Sequence, residues 1–413
     1  MDPIARKAYN ENFTAEKYAQ FLDSLNANLP NRIAFRVAET PVFLTNDFRD
    51  RLVSAGNEII NTILQPDFKQ LTERAIPDKW RVANENDHPH FIALDFGVCK
   101  DENGDIVPKL IELQGFPSLF AFQQELADSF TENFEIPDEW TVYFGGLDKA
   151  TYLNLFNKTI LGDYTPDEVV LMDVNAQEQK TAVDFYFTQK YTGIQIVSLS
   201  ELEQEGNQLF YTRNGEKKRI KRIYSRLIFD EIDNDPGIFD KVVDIRKPLD
   251  VEWITHPNWF YRISKFTMPF LKGEYVPETQ FLHYLKAIPV DLENYVLKPL
   301  FSFAGQGVII DVSKNDIANI KDPENWILQK KVNYEPVVKS PEGGVKVEIR
   351  LLYLWPDSDD KPTLAINLGR LSRGKMIGVR FNKDFDWVGG TIAFMPSGKN
   401  QETRTINQES KQE

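Results

Sequence analysis

Lys298 interrupts the apolar run Tyr295-Val-Leu-Lys-Pro-Leu-Phe, and Ser302, Ala304, Gly305 and Gly307 follow it within one short turn. Val308-Ile309-Ile310 then resumes the apolar pattern. A charge inside a strand is costly unless it is paired or meets a ligand. A strand with an inward lysine, a small-residue turn and a returning strand suit phosphate binding. The N–H groups of such a turn can cradle oxygens while the ammonium neutralises charge. The same pattern also describes an ordinary hairpin whose lysine reaches its edge, and this segment by itself leaves both open.

A second set of chemically capable residues lies far upstream. Asp95 follows the apolar stretch Phe91-Ile-Ala-Leu, and Glu112-Leu-Gln114 comes after a turn at Gly104-Asp105. Residues two apart in a strand point the same way, so Glu112 and Gln114 share a face that an antiparallel partner can extend to Asp95. Two carboxylates and an amide oxygen are hard donors of the kind Mg²⁺ takes when substrate phosphates complete its shell. The plainer alternative is a hairpin whose polar face meets water. Downstream, Arg350 lies in Val347-Glu-Ile-Arg-Leu-Leu-Tyr and Arg370 follows Asn367-Leu-Gly. Each can grip a phosphate or carboxylate with two parallel bonds, or pair with an acid such as Glu348. The four histidines (His88, His90, His256, His283) show no zinc spacing. No Gly-x-Ser-x-Gly elbow, Walker lysine motif or Gly-x-Gly-x-x-Gly fingerprint occurs.

These groups need elements to position them. Phe48, Leu52, Ile59, Ile60 and Ile63 recur at helical spacing, which predicts a helix over 46–64 capped by Thr45 or Asn46. Strands are predicted over 91–96 and 108–114. A strand over 168–174, a helix over 176–191 and a strand over 194–197 make a βαβ unit, which implies a parallel sheet. A hairpin is expected at Asn214-Gly215, a strand at 222–227, helical residues at 258–271, and strands at 326–332, 345–355 and 364–373. The predicted organisation is an N-terminal region over 1–152, an α/β subdomain over 165–255 and a strand-rich part over 256–395. A polar tail over 396–413 is expected to be disordered.

Composition narrows the function classes. A chain of 413 residues, 42% hydrophobic and 12% aromatic, can hold two or three domains with sizeable cores. A formal net charge of −14 argues against nucleic acid as a partner. The basic run Lys217–Arg222 has no interleaved aromatic residues and is expected to be a solvated strand or hairpin. Cys99 stands alone, so neither a disulfide framework nor a multi-cysteine metal site can form within the chain. No apolar run of about 18 residues and no signal-peptide core is present, so a soluble cytoplasmic protein with no membrane partner is expected.

Taken together, these pieces resemble the ATP-grasp superfamily, in the circularly permuted form of glutathionylspermidine synthase-like proteins. Tyr-Val-Leu-Lys298-Pro with Phe-Ala-Gly-Gln-Gly is similar to that family's ATP-binding lysine and glycine-rich loop. Trp-Ile-Leu-Gln329-Lys-Lys is similar to the hinge strand on which adenine rests. Ile-Ala-Leu-Asp95-Phe and Leu-Ile-Glu112-Leu-Gln114 resemble the metal-binding strands, and here they precede the lysine, as in the permuted form. Asn367-Leu-Gly-Arg370-Leu resembles the stretch whose arginine assists phosphoryl transfer. Arg-Ile-Tyr-Ser-Arg226-Leu resembles the strand that closes the pre-ATP-grasp subdomain. The likeness spans roughly residues 30–395. Ala93 stands where the family usually has an arginine, Gln114 replaces an asparagine, and Ser372 follows Arg370 instead of preceding it.

The resemblance implies an α/β (α+β) ATP-grasp fold with a pre-ATP-grasp parallel-sheet subdomain. It also implies an ATP- and Mg²⁺-dependent ligase that joins a carboxylate to an amine or thiol through an acyl phosphate, on a small molecule or peptide. Lys298 would bind phosphates, with Gln329 and Lys330 at the hinge. Ser302, Gly305, Gln306 and Gly307 would close as a lid, and Asp95, Glu112 and Gln114 would hold Mg²⁺. Arg350 and Arg370 would stabilise the transferring group. The alternative is a nucleotide-binding module without ligase activity, regulatory or scaffolding, which ATP turnover would tell apart.

Overall fold

The computed structural model describes residues 1–233, 237–302, 305–374, 377–378 and 382–397. Strands from distant parts of the chain build its central antiparallel sheet. Their order is Gly389–Thr391, Thr363–Ser372, Gly343–Leu354, Phe91–Lys100 and Ile106–Gln114, with Val338–Ser340 paired to Gly343–Leu354. Alternation along Phe91–Lys100 decides what each face does. Ile92, Leu94, Phe96 and Val98 enter one hydrophobic core with the helix Asn46–Ile63. Phe91 and Ala93 enter a second core, but the next position on their face is Asp95. Core gives way to charge along a single strand face.

The Asn46–Ile63 helix begins where its pattern predicts, with Thr45 Oγ1 accepting the Phe48 N–H at 3.3 Å. The βαβ unit also forms. Glu252–Ile254, Arg222–Ser225, Val169–Asp173 and Gln195–Ser198 make a parallel sheet in that order. Its helix is Ala182–Thr192, shorter at its start than the predicted 176–191. Asp173 Oδ1 accepts from the Asn175 N–H (3.4 Å) and from Gln179 Nε2 (3.1 Å), side-chain bonds that compete with the first helical turns. The basic run begins in a hairpin of Gln208–Arg213 and Glu216–Ile220, where Lys217 pairs with Glu203 and Glu205 at the surface. It ends, however, on Arg222, which is buried in the parallel sheet and pairs with Glu252 and Asp357.

A third sheet, Thr279–Phe281, Trp326–Lys330 and Tyr295–Pro299, is antiparallel and carries Lys298. The returning strand expected at 308–310 shortens to one bridge, with Ile309 exchanging two 2.9 Å backbone bonds with Leu297. Ala393–Pro396 pairs with Val42–Phe43 and Trp140–Thr141, so Pro396 is structured. The remainder of the predicted tail, 398–413, lies outside the described residues. No helix among the described residues is long and apolar enough to cross a membrane.

Candidate functional site

An irregularity in the edge strand Ile106–Gln114 joins the two antiparallel sheets. Opposite Phe91–Lys100 its register runs Asp95↔Glu112 and then Phe96↔Leu110, which makes Ile111 the extra residue of a β-bulge. Freed from the ladder, the Ile111 carbonyl accepts a hydrogen bond from Lys298 Nζ at 3.0 Å. Lys298 is 8% exposed, and its bonded partner is a carbonyl, not a carboxylate. Burial pushes its ammonium down to about 8; Glu112 opposes that shift and Lys265 adds to it.

Gln329 shares the face of Lys298. In the antiparallel register Lys298 lies opposite Ile327 and Val296 opposite Gln329, one strand repeat along. The Gln329 side chain is buried and its Nε2 has no hydrogen-bond partner. A buried donor left unpaired costs about 1–3 kcal/mol, which an acceptor on an incoming ligand would recover. Lys330, the next residue, projects to the opposite side and is exposed, so the structure does not bring it to Lys298.

Lys265 completes this group, although the sequence reading passed it over. Its signal was the one that marked Lys298, a lysine within an apolar stretch (Ser264-Lys-Phe-Thr-Met-Pro-Phe). Lys265 is buried, and its Nζ donates to the Ser302 carbonyl and, at 3.4 Å, to Ser302 Oγ. Its position is fixed from both sides. The helix Pro257–Arg262 is capped by His256, whose Nδ1 accepts the Asn258 N–H at 3.1 Å, and Arg262 is pinned by Glu73 and Glu85 at 2.7 Å each. Gly115 packs so closely that a Cβ there would lie 2.5 Å from the Trp259 carbonyl oxygen, and its N–H donates to the Ile263 carbonyl at 2.8 Å. Only glycine lets the bulged strand meet this turn.

Between these elements lies a small open cleft of about 50 Å³, lined by Glu112, Gln114, Phe260, Lys265, Phe301 and Ser302 among others. Gly305 (φ 71°) and Gly307 (φ 72°) hold the left-handed conformation that turns the loop, and Gln306 between them is exposed. Phe303 and Ala304 of that loop lie outside the described residues.

On the central sheet, opposite strands bring the remaining predicted residues together. Arg350 faces Asp95 across the ladder and Glu348 faces Arg370. Arg350 grips Asp95 with two bonds, Nε to Oδ1 at 2.5 Å and Nη2 to Oδ2 at 2.7 Å. Arg370 Nη2 bridges Asp95 Oδ2 and Glu348 Oε1, and the Tyr334 hydroxyl donates to Glu348 Oε2 at 3.0 Å. Burial raises both buried carboxyls. At Asp95 the two arginines outweigh it and hold the acid below its usual range, whereas Glu348 stays raised because Arg370 offsets burial only in part. Both Asp95 oxygens are therefore committed to guanidinium groups. This corrects the expectation of Asp95 as an open metal donor beside Glu112 and Gln114. Gln114 Nε2 donates to Glu112 Oε1 at 2.8 Å, so that pair forms as the two-residue spacing suggested. Among the described residues no cluster of three His, Cys, Asp or Glu is arranged to hold a metal ion.

Searched by sequence, the chain matches no family model and no curated protein. Its fold does have a counterpart. A glutathione synthetase-like effector from Globodera pallida, in its apo form, aligns over 92% of this chain and 96% of its own, with a TM-score of 0.56 and 10% sequence identity. At that identity the likeness is one of fold, and it places this chain in a glutathione synthetase-like α+β architecture.

Proposed function

We propose that this chain is an ATP-dependent ligase that joins a carboxylate to an amine or thiol, on an ATP-grasp core in permuted chain order. One observation carries the reading. Two buried ammonium groups, Lys298 and Lys265, and the unpartnered amide of Gln329 gather where two antiparallel sheets meet. Buried ammonium groups beside glycines in the left-handed conformation suit a polyphosphate. The likeness to a glutathione synthetase-like fold supports a ligase over other users of nucleotides.

In this reading ATP is a co-substrate whose γ-phosphoryl group activates a carboxylate for attack by the nucleophile. Lys298 and Lys265 neutralise phosphate charge, and Gln329 supplies a donor at the hinge. Ser302, Gly305, Gln306 and Gly307 exclude water from the transfer. Arg370, whose side chain is 34% exposed, carries a buried Nε without a partner and would contact the transferring group. Arg350 acts through Asp95 as a positioning residue, because its guanidinium is spent on that carboxylate. Mg²⁺ is commonly held by one or two carboxylates plus substrate phosphates. Glu112 and Gln114 provide oxygens of that kind and would hold the ion, with Asp95 left to the arginines.

The test is ADP release from ATP against paired panels of carboxylic acids with amines and thiols. Release stimulated by one acid–nucleophile pair is the expected result. ATP binding with no ADP release under any pair would replace the ligase with a nucleotide-binding module.

A further inference from the structure

Tyr334 lies in the segment 331–337, which leads from the strand Trp326–Lys330 of the small sheet to Val338–Ser340 on the central one. At the first end the Lys331 N–H donates to the Asn294 carbonyl at 2.8 Å. At the other, Tyr334 pairs with Cys99 in an antiparallel bridge, and the Glu335 N–H donates to the Val98 carbonyl at 2.9 Å. Cys99, Gly97 and Asp95 alternate onto one side of their strand, so the bridge brings the tyrosine to the charged face of the sheet. Gly97 makes room for its ring. A Cβ at that position would lie 2.7 Å from Tyr334 Cε1, and Gly97 stands opposite Glu348 in the ladder.

The Tyr334 hydroxyl donates to Glu348 Oε2 at 3.0 Å, while Glu348 Oε1 accepts from Arg370 Nη2. Burial, and after it the Glu348 carboxyl, push the phenol well above its usual pKa, so its O–H stays a donor. The neighbouring pair shows what a carboxylate does with both oxygens. Asp95 takes Arg350 at Nε and Nη2 together, the two-bond grip that these groups favour. Glu348 meets Arg370 through one oxygen only, and Arg370 Nε is left without a partner.

Resting on the ligase reading, in which Arg370 contacts the transferring group, we propose that Tyr334 is a positioning residue for Arg370. By occupying Glu348 Oε2 it stops that carboxylate from taking a second N–H of the guanidinium. The N–H so spared is kept for the terminal phosphate of ATP. Because Tyr334 sits on the segment that leaves the sheet of Lys298 and Gln329, one short stretch of chain ties the two halves of the site together.

Calorimetry of ATP and of ADP on the full chain isolates the terminal phosphate from the rest of the nucleotide. The wild type is expected to prefer ATP. Tyr334→Phe keeps the ring and removes the hydroxyl. It should cut that preference about tenfold, the scale of one hydrogen bond to a charged group, with ADP affinity held within about twofold. Adding Glu348→Gln to Tyr334→Phe should restore most of the preference, because an amide has one acceptor oxygen and cannot grip the guanidinium twice. A tyrosine that served only the fold would leave the double variant worse than the single one, and thermal melts confirm that both variants fold. Unchanged preference in Tyr334→Phe, equal loss of ATP and ADP affinity, or absence of rescue would overturn the proposal. So would a wild type that binds both nucleotides equally. Parallel ADP-release assays separate its failure from that of the ligase reading. If no acid–nucleophile pair elicits release but the hydroxyl still governs the ATP preference, the role of Tyr334 stands and the ligase falls. If a pair elicits release and Tyr334→Phe leaves both kcat and the preference unchanged, the ligase stands and the role of Tyr334 falls.

Discussion

The central sheet and the small sheet that carries Lys298 treat buried charge in opposite ways. On the central sheet Asp95, Arg350, Arg370, Glu348 and Tyr334 answer one another, and the unpartnered Arg370 Nε is the one point at which that network stays open to a ligand. On the small sheet Lys298 has a single carbonyl and Gln329 Nε2 has no partner. Buried polar groups in folded proteins are almost always satisfied, so an exception calls for an explanation. A closed network is scaffolding that fixes geometry, whereas a face left incomplete is one that a ligand completes. The same charged residue types do different work because one region spends its bonding capacity internally and the other keeps it.

Substitutions on the two faces should therefore behave in opposite ways. Asp95→Ala strands two guanidinium groups without their common carboxylate and should cost about 3–5 kcal/mol of stability, read by urea denaturation. The substitution is accordingly a poor probe of metal binding, because lost fold and lost ligand would coincide. Lys298→Met removes a buried charge that has no carboxylate partner, so stability should hold within about 1 kcal/mol or rise. ATP affinity should nevertheless fall at least about tenfold, the scale of a lost charged hydrogen bond.

The pH dependence sharpens the contrast. The Lys298 ammonium titrates near 8, below its ordinary 10.5, so it is charged at pH 7 and largely neutral at pH 9. ATP affinity should weaken as pH rises through 8, and Lys298→Met should flatten that component of the profile. Stability should move the other way. Between about 8 and 10.5 the unfolded chain binds the extra proton, so this group's contribution to folding stability rises with pH across that window. The smallest expected effect belongs to Glu112→Gln. The fold should be unchanged, and Mg²⁺ should lose its influence on ATP affinity in calorimetry with and without chelator. An undiminished Mg²⁺ response would remove Glu112 from the metal assignment.

How much of this was legible from the sequence differs between the same two regions. The strand carrying Lys298, the facing of Asp95 and Glu112, and the βαβ unit all follow from local periodicity, and all three form. The capture of Asp95 was hidden, because it depends on pairing strands some 250 residues apart, Phe91–Lys100 with Gly343–Leu354, in one particular register. The bulge at Ile111 was hidden as well, since an extra residue breaks alternation without changing composition. Lys330 is different. Adjacent residues in a strand point opposite ways, so Gln329 and Lys330 were never both able to face the cleft. Lys265 announced itself by the same cue as Lys298, but it lies in a short helical turn where no strand alternation marks an inward face.

The most direct test of the central claim is isothermal calorimetry of ATP with the wild-type chain and with Lys298→Met at pH 7, paired with urea denaturation of both. Micromolar-scale binding that weakens at least about tenfold in a variant of equal or greater stability is the predicted result. Equal ATP affinity in both proteins, or a variant that loses stability in step with affinity, would show that Lys298 serves the fold and not a ligand.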